Sequence, residues 1–495
     1  MLGEWFTRSD YWFARVVFQR GLAAIYLVGF LTAARQGLAL LGEHGLTPIP
    51  TFLRRVSFRR APSVFKLYYS DRMFVAVAWT GLAASAALVA GVGDLVPVWG
   101  AVLLWSVPWA LYLSIVNVGH VWYGFGWEAL LLETGFLAIF LGNERVGPPA
   151  LLFWLVRWLL FRVEFGAGLI KLRGDRCWRD LSCLRYHYET QPMPGPLSWF
   201  FHRLPDPVHR VEVAANHAAQ LIAPLALFAP QPVAGGAAAF MILTQLWLVF
   251  SGNFSWLNWL TIVLALPVAA GALGSGIDPA PSPPPGPGPA WYQVLVLAVF
   301  ALIAALSYRP ARNLTVRRQL MNHSFDSLHL VNTYGAFGRI NRQRFEVVIE
   351  GTDDADVTAE TRWREYGFKG KPGDPRRLPR QFAPYHLRLD WMMWFAGISP
   401  HYAEPWMRVL LTKLLADDRR VLRLLGTNPF PDAPPRYVRA LLYRYEFTAW
   451  PELRRTGAWW RRDLFSEFAR PMSLSPNEPS SAGRAAAGPD GVTGR

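Results

Sequence analysis

Three ionisable residues lie seven positions apart in one apolar segment of this 495-residue chain: Arg157, Glu164 and Lys171. Because two turns of α-helix nearly repeat a direction, this spacing predicts that all three side chains project from one helix face. A charged group inside a membrane is costly unless it has a partner or a wet cavity. One interpretation is an internal ion-pair ladder with Glu164 between two cations. The other is that Arg157 and Lys171 extend to opposite interfaces, with Glu164 as a structural counter-ion.

The segment after Lys171 is rich in groups suited to acid–base chemistry or polar binding. These groups are Asp175, Trp178, Asp180, Tyr186, His187, Tyr188 and Glu189. A histidine between two tyrosines is also typical of a buried, hydrogen-bonded position. Cys177 and Cys183 are the two cysteines of the chain, which excludes a disulfide framework or a zinc site. They could form a disulfide or a thiol pair on an oxidising side, although in one helix they would point to different faces.

A polar stripe opens the next apolar segment. Glu212, Asn216 and Gln220 step by four along one helix face, with His217 beside them. Such a stripe is typical of contacts between membrane helices, and it becomes part of a site if it faces the preceding segment. The candidate catalytic groups are Glu164, Lys171, His187 and His217. The candidate binding residues are Arg157, Asp175, Trp178, Asp180, Tyr186, Tyr188, Glu189, Glu212 and Asn216. No metal-ligand spacing, P-loop, Rossmann glycine pattern or serine elbow accompanies them, so neither a metal nor a cofactor is expected.

The chain that carries these residues has the composition of a membrane protein. It is 52% hydrophobic and 17% charged, whereas soluble proteins contain about 25% charged residues. Residues 213–277 contain no Lys, Arg, Asp or Glu, and neither do 95–127 and 279–308. Helices of soluble proteins average about 10–14 residues. Uncharged runs of this length therefore exclude a simple water-soluble globule and predict a polytopic α-helical membrane bundle of about eight or nine transmembrane helices.

The expected transmembrane domain covers residues 1–308. Its candidate spans are 21–42, 73–93, 97–117, 127–142, 149–170, 212–230, 232–251, 254–273 and 291–308. The 127–142 segment is short and carries Glu128 and Glu133. A Pro-rich linker is expected at 279–290, before the last helix.

Residues 309–470 are expected to form a smaller extramembrane α+β domain with an antiparallel sheet. Strands are predicted where apolar and polar residues alternate, at 345–351, 387–391 and 443–447, and helical spacing is predicted at 402–425. Arg388 and Asp390 would then share one face of their strand, as a salt-bridged pair. Residues 471–495 are rich in Ser, Pro, Gly and Ala, which predicts a disordered tail.

The formal net charge of +15 favours a lipid partner. A basic surface beside the membrane and facing anionic lipid explains the excess, and no nucleic-acid-binding motif accompanies it. The loops at 43–72 and 171–210 and the segment after 308 all follow odd-numbered spans and are all basic. They therefore share one side, which the positive-inside rule predicts to be cytoplasmic.

The stretch RWLLFRVEFGAGLIKLRGDRCWRDLSCLRYHYETQPMPGP (157–196), followed by EVAANHAAQLIAP (212–224), resembles the lipase maturation factor family. LVNTYGAFGRINRQRFEVVIEGTDD (330–354), WREYGFKGKPGDPRR (363–377) and APYHLRLDWMMWFA (383–396) resemble its C-terminal blocks. The resemblance implies a multi-pass protein of the endoplasmic reticulum membrane that aids folding of secreted lipases and is not itself a lipase. It also implies that the conserved region works on the lumenal side, against the positive-inside rule. Arg-rich, Lys-poor composition suggests a bacterial member, for which the location is the cytoplasmic membrane.

A shorter stretch, FGAGLIKL (165–172) with Asp175 and Trp178 beyond it, is similar to the membrane domain of the vitamin K-dependent gamma-carboxylases. In that family a lysine at the place of Lys171 is a proposed base. Such a base needs a pKa lowered by desolvation, and Glu164 would act in the other direction.

Two functions follow from these patterns. The favoured one is a membrane maturation or assembly factor, chaperone-like, with lipase-like client proteins. The alternative is an intramembrane enzyme that acts on a lipid or quinone-type substrate through Glu164, Lys171, His187 and His217.

Overall fold

The computed structural model of the chain describes residues 6–7, 11–271 and 285–474. The helices of the first region are α1 Trp12–Leu41, α2 Ile49–Arg55, α3 Asp71–Ala90, α4 Val92–Leu95, α5 Val98–Val118, α6 Gly126–Ile139, α7 Ala150–Arg173, α8 Arg176–Arg179, α9 Leu184–Thr190, α10 Ser198–His202, α11 Asp206–His217, α12 Ala223–Ala226, α13 Val233–Ser251, α14 Leu257–Ala270, α15 Ala290–Leu306 and α16 Tyr308–Thr315. A π-helical turn, Ala218–Ile222, joins α11 to α12. Half of the predicted linker, residues 279–284, lies outside the described residues, as do residues 475–495 of the predicted tail.

Five helical stretches of the described chain are long and apolar enough to cross a membrane. They are Trp12–Leu41, Asp71–Ala90, Val98–Val118, Val233–Ser251 and Ala290–Thr315. The last one combines α15 and α16 and continues past residue 308. Of the other expected spans, α6 and α14 have 14 residues each, and α7 carries buried charges.

The ends of α3 show how the local sequence sets a helix. The Ser70 side chain caps the first turn by accepting a hydrogen bond from the Met73 backbone N–H at 3.1 Å. Gly91 ends the helix with φ of 94°, in the left-handed region that glycine adopts at little cost.

The C-terminal domain is built on a four-stranded antiparallel sheet. Its elements are β1 His323–Ser324, β2 Asn332–Thr333, β3 Arg344–Thr352, β4 Arg364–Glu365, α17 Arg388–Ile398, α18 Met407–Leu415, α19 Arg419–Leu422, β5 Tyr437–Phe447, α20 Trp450–Thr456 and β6 Trp460–Met472. The strand order is β4-β3-β5-β6, and β1 and β2 form a separate pair. The central register places Val347 opposite Leu442. The antiparallel sheet and the strands at 345–351 and 443–447 are confirmed, whereas β6 includes the first two residues of the predicted tail.

The strand predicted at 387–391 is wrong, because these residues enter helix α17. Leu389, Trp391 and Met393 are all buried, and so are the residues between them. A helix that is buried on nearly every side carries no amphipathic period. Arg388 and Asp390 alternate with apolar residues here, and this alternation is the same as that of a strand with one polar face.

The C-terminal domain packs against one end of the helical region. Gln36, near the end of α1, donates a 2.7 Å hydrogen bond to the His386 carbonyl. Trp199 of α10 donates to the Thr448 carbonyl at 3.0 Å. Arg420 forms a 2.6 Å ion pair with Asp71, the first residue of α3. The loops at 43–72 and 171–210 therefore meet this domain on the same side.

Candidate functional site

Glu164 and Lys171 belong to a buried polar cluster that joins three helices. Glu164 of α7 accepts hydrogen bonds from Gln220 at 3.1 Å and from Gln245 of α13 at 2.7 Å. Lys171 donates to Asn216 and to Gln220, both at 2.8 Å. Gln220 thus bridges the carboxylate and the ammonium group through the two ends of its amide. Neutral amides therefore supply the partners that these two buried charges need.

The predicted ladder of direct ion pairs is wrong. Arg157 donates instead to the Leu227 carbonyl at 3.1 Å and to the Tyr11 hydroxyl at 3.2 Å. Among the described residues, no ion pair joins Arg157, Glu164 and Lys171 to one another. The sequence showed that they share a helix face but could not show that glutamines from later helices occupy the space between them.

The polar stripe of α11 does face the preceding segment. Asn216 and Gln220 contact Lys171, and Gln220 lies in the π-helical turn, a feature often found at functional sites. Glu212 contacts other residues. It accepts hydrogen bonds from the Tyr188 hydroxyl and the Trp247 indole, both at 2.9 Å, and lies 2.9 Å from Nδ1 of His209.

The residues after α7 form a compact cap over the cluster. The Trp178 ring lies 4.7 Å from the Lys171 ammonium group, and its indole N–H donates to the Phe337 carbonyl at 2.8 Å. The Trp178 carbonyl is 2.9 Å from Nε2 of His217. Cys177 and Cys183 form a disulfide with a Cα–Cα distance of 4.7 Å, because the chain reverses at Leu181 between α8 and α9.

The two aspartates of this cap accept hydrogen bonds from backbone N–H groups. Asp175 caps α8 through the Cys177 N–H at 3.1 Å and forms a 2.9 Å ion pair with Arg342. Desolvation raises the pKa of Asp175, but these partners outweigh it and leave the pKa below its usual value. Asp180 accepts a hydrogen bond from the Ser182 N–H at 3.2 Å.

His187 is packed among aromatic rings. It stacks on Phe254 at 6.1 Å and contacts Phe337 edge-on at 5.2 Å. Burial, with a smaller effect of the Lys171 charge, lowers its pKa to about 3. His187 is therefore neutral at physiological pH.

Tyr186 and Glu189 bind the C-terminal domain. The guanidinium of Arg342 lies 4.5 Å from the Tyr186 ring. The Glu189 carboxylate accepts a 2.7 Å hydrogen bond from the Phe447 N–H, and burial raises its pKa.

Sequence reasoning missed the strongest contacts between the two regions. Arg388 of α17 is fully buried and forms a 2.8 Å ion pair with Glu128 of α6. The other oxygen of Glu128 accepts a 2.5 Å hydrogen bond from the Tyr112 hydroxyl. Asp390, the predicted partner of Arg388, accepts instead from the Gly370 and Lys371 N–H groups at 2.6 and 3.0 Å. A glutamate in an apolar segment was the available signal, but its partner lies 260 positions away.

A second buried carboxylate of α6 repeats this arrangement. Glu133 pairs with Arg162 of α7 and accepts hydrogen bonds from the Asn332 side chain at 2.9 Å and the Tyr334 hydroxyl at 2.7 Å. On the sheet, Glu346 pairs with Arg344 at 2.5 Å and Lys371 at 2.9 Å, all fully buried. The Glu128 and Glu133 clusters join the two regions directly, and the Glu346 cluster does so through Arg344, which donates to the Glu189 carbonyl at 3.0 Å.

A cavity of about 340 Å³ lies beside the start of β3. Its lining residues are Thr190, Asn341, Arg342, Gln343, Arg344, Phe345, Trp394, Gly397 and Ile398. None of the candidate catalytic groups lines it. Within residues 6–7, 11–271 and 285–474, no group of three or more His, Cys, Asp or Glu residues could hold a metal ion.

Apolar helices long enough to span a bilayer, joined through buried charges to an α+β domain at one end, define an integral membrane protein. The chain belongs to the lipase maturation factor family. The model of the family's transmembrane domain matches residues 13–272, and the model of its C-terminal domain matches residues 330–470.

Similar proteins cover nearly the whole chain. Lipase maturation factor 1 of Bos taurus is 41% identical over 504 residues, which cover 94% of this chain and 90% of the relative. Lipase maturation factor 1 of Homo sapiens is 40% identical over 95% of this chain and 90% of its own length. Lipase maturation factor 2 of Homo sapiens is 29% identical over 93% and 82%. No solved structure matches the chain.

Proposed function

We propose that this protein is an integral membrane maturation factor that assists the folding of lipases and is not itself a lipase. The observation that carries this proposal is the 41% identity to Lipase maturation factor 1 over 94% of the chain, across both regions. The groups considered for an enzyme support a positioning role instead, since Glu164, Lys171 and His217 contact protein amides and carbonyls.

The proposed membrane domain covers residues 1–308 and crosses the bilayer nine times. The crossings are α1, α3, α5, α6, α7, α11 with α12, α13, α14, and α15. Supporting this, the end of α1, the start of α3 and the loops after α5, α7 and α13 all contact the C-terminal domain. This is the pattern expected when successive helices alternate in direction. Residues 309–470 form the extramembrane domain in this proposal.

The proposed location is the endoplasmic reticulum membrane, with the C-terminal domain in the lumen. For a bacterial member the equivalent is the cytoplasmic membrane, with that domain exported. A reporter fused after the last residue of the full chain tests the side directly. A cytoplasmic reporter contradicts the proposed orientation.

The surface proposed to bind the client is an apolar patch, defined as Leu197, Phe200 and Trp450. These side chains are 42%, 45% and 47% exposed, and Trp199 beneath them contacts both Phe200 and Trp450. A contiguous exposed apolar patch is typical of an interaction site. The proposed occupant is an apolar segment of an incompletely folded lipase.

Complementation tests this function. Cells that lack the protein are expected to secrete less active lipase and to recover with the full chain. The F200S/W450S variant should insert normally and rescue poorly. The matched control, L464S/F465S, changes two apolar residues on β6 that are more exposed than Phe200 and Trp450, and it should rescue fully. Equal rescue by both variants would contradict client binding at the patch. Unchanged secretion of active lipase in cells that lack the protein would contradict the proposed role in lipase maturation.

A further inference from the structure

We propose that residues 49–70, here called the interfacial segment, bind the headgroups of anionic phospholipids. The segment comprises α2 and the chain that leads to α3. It lies at the end of the helical region that faces the C-terminal domain.

The contacts of the interfacial segment place it at the level of a helix end. The Ser63 hydroxyl donates to the Ser114 carbonyl at 3.0 Å, and the Val64 N–H donates to the Ser114 hydroxyl at 3.1 Å. Asn117 donates to the Pro62 carbonyl at 2.9 Å. Ser114 and Asn117 belong to the last turn of α5, which is long and apolar enough to cross a membrane. The segment therefore packs where a bilayer would meet water.

The charge of the segment is entirely positive. Arg54, Arg55, Arg59 and Arg60 are exposed, and residues 44–70 contain no Asp or Glu. Among the described residues, none of the four arginines forms an ion pair. Lys66 differs, because its ammonium group donates to the Leu53 carbonyl at 2.6 Å and holds the segment together.

Large apolar side chains of the same segment are exposed as well. Leu67 is 85% exposed, Tyr68 66% and Phe58 57%. Water-exposed side chains of this size are costly, whereas the boundary between headgroups and acyl chains accommodates both the apolar groups and the cations. Tyrosine is itself enriched at that depth.

These observations favour a bilayer leaflet over an acidic protein as the occupant. The segment lies between α1 and α3, two helices of spanning length, so a bilayer crossed by these helices would place lipid headgroups beside it. Each cation close to an anionic leaflet adds attraction, and four unpaired guanidiniums make the attraction selective for anionic over zwitterionic lipid.

The test compares phosphatidylglycerol with phosphatidylcholine on the purified full chain. Protein is exchanged into nanodiscs that contain both lipids, and the lipids retained after delipidation are counted by native mass spectrometry. Wild type should retain phosphatidylglycerol preferentially. The R54Q/R55Q/R59Q/R60Q variant should lose this preference by at least about tenfold, and added salt should weaken wild type more than the variant.

Two control variants make the result decisive. The variant with the same four arginines changed to lysine should keep the preference, which separates charge from folding. A variant with four distant exposed arginines changed to Gln should also keep it: Arg362, Arg376, Arg454 and Arg455. An unchanged preference in the first Gln variant, or an equal loss in the distant one, overturns the proposal. So does a finding that the segment binds an acidic peptide and not phosphatidylglycerol.

Discussion

Replacement of Arg388 by methionine is expected to release the C-terminal domain from the helical region. Arg388 is fully buried and donates to the Trp122 carbonyl and to Glu128. Its guanidinium also lies 3.5 Å from the Tyr123 ring. The change leaves the Glu128 carboxylate buried without a cation. Loss of one partner from a buried ion pair costs about 3–5 kcal/mol, which corresponds to a shift of roughly a hundredfold or more in the docking equilibrium.

Hydrogen–deuterium exchange of α17 in nanodiscs measures this opening locally. The matched control is Arg420→Met, which also removes an ion pair between the two regions. The Arg420–Asp71 pair is solvent-exposed on the arginine side, at 44%, so its loss should cost no more than about 1 kcal/mol.

A double-mutant cycle separates the pair from its surroundings. The E128Q/R388M variant keeps an acceptor for the Tyr112 hydroxyl and removes both charges. It should therefore be more stable than the sum of its two single variants implies, by about 1–3 kcal/mol. Strict additivity, or an R388M protein with wild-type exchange at α17, would refute the idea that this pair holds the domain.

Three further outcomes are expected from other buried groups. Burial lowers the pKa of His386 to about 4 in the folded protein. As the pH falls from the pKa of an unfolded histidine through 4, the unfolded chain binds a proton that the folded protein does not. The free energy of unfolding should therefore fall by up to about 3 kcal/mol. H386F should flatten that part of the unfolding-versus-pH curve, and an unchanged slope assigns the effect to other groups. Gln220→Leu removes two hydrogen bonds to charged groups and should cost about 3–6 kcal/mol, whereas Gln245→Leu removes one and should cost about half as much in chemical unfolding. Gly166→Ala places a Cβ 2.6 Å from a backbone carbonyl of the C-terminal domain and should lower the melting temperature. Gly236→Ala, with open space around it, should not, and equal melting of the two variants contradicts the close approach.

Local patterns predicted a strand wherever apolar and charged residues alternate with a period of two. The alternation of Phe345, Val347 and Ile349 with charged residues identified β3, although both faces of that strand are buried. The same reasoning failed at α17, where Arg388 and Asp390 are buried with their apolar neighbours. Their charges are satisfied by groups far along the chain, and no local period reports such partners.

Only part of the buried polar cluster follows the sequence prediction. Glu164, Lys171 and Asn216 come together in it, whereas Arg157 and Glu212 contact other residues. The bridging role of Gln220 depends on a π-helical turn, which places its amide between two charges. The spacing of an ideal α-helix cannot anticipate such a turn.

The pairing of Glu128 with Arg388 makes the order of synthesis matter. Before the ribosome has added residue 388, the Glu128 carboxylate of α6 has been synthesised but its partner Arg388 has not. Any premature stop before that codon leaves the Glu128 carboxylate without this cation inside the helical region. Truncations before residue 388 should therefore damage the membrane-embedded part as well, although they remove only C-terminal residues.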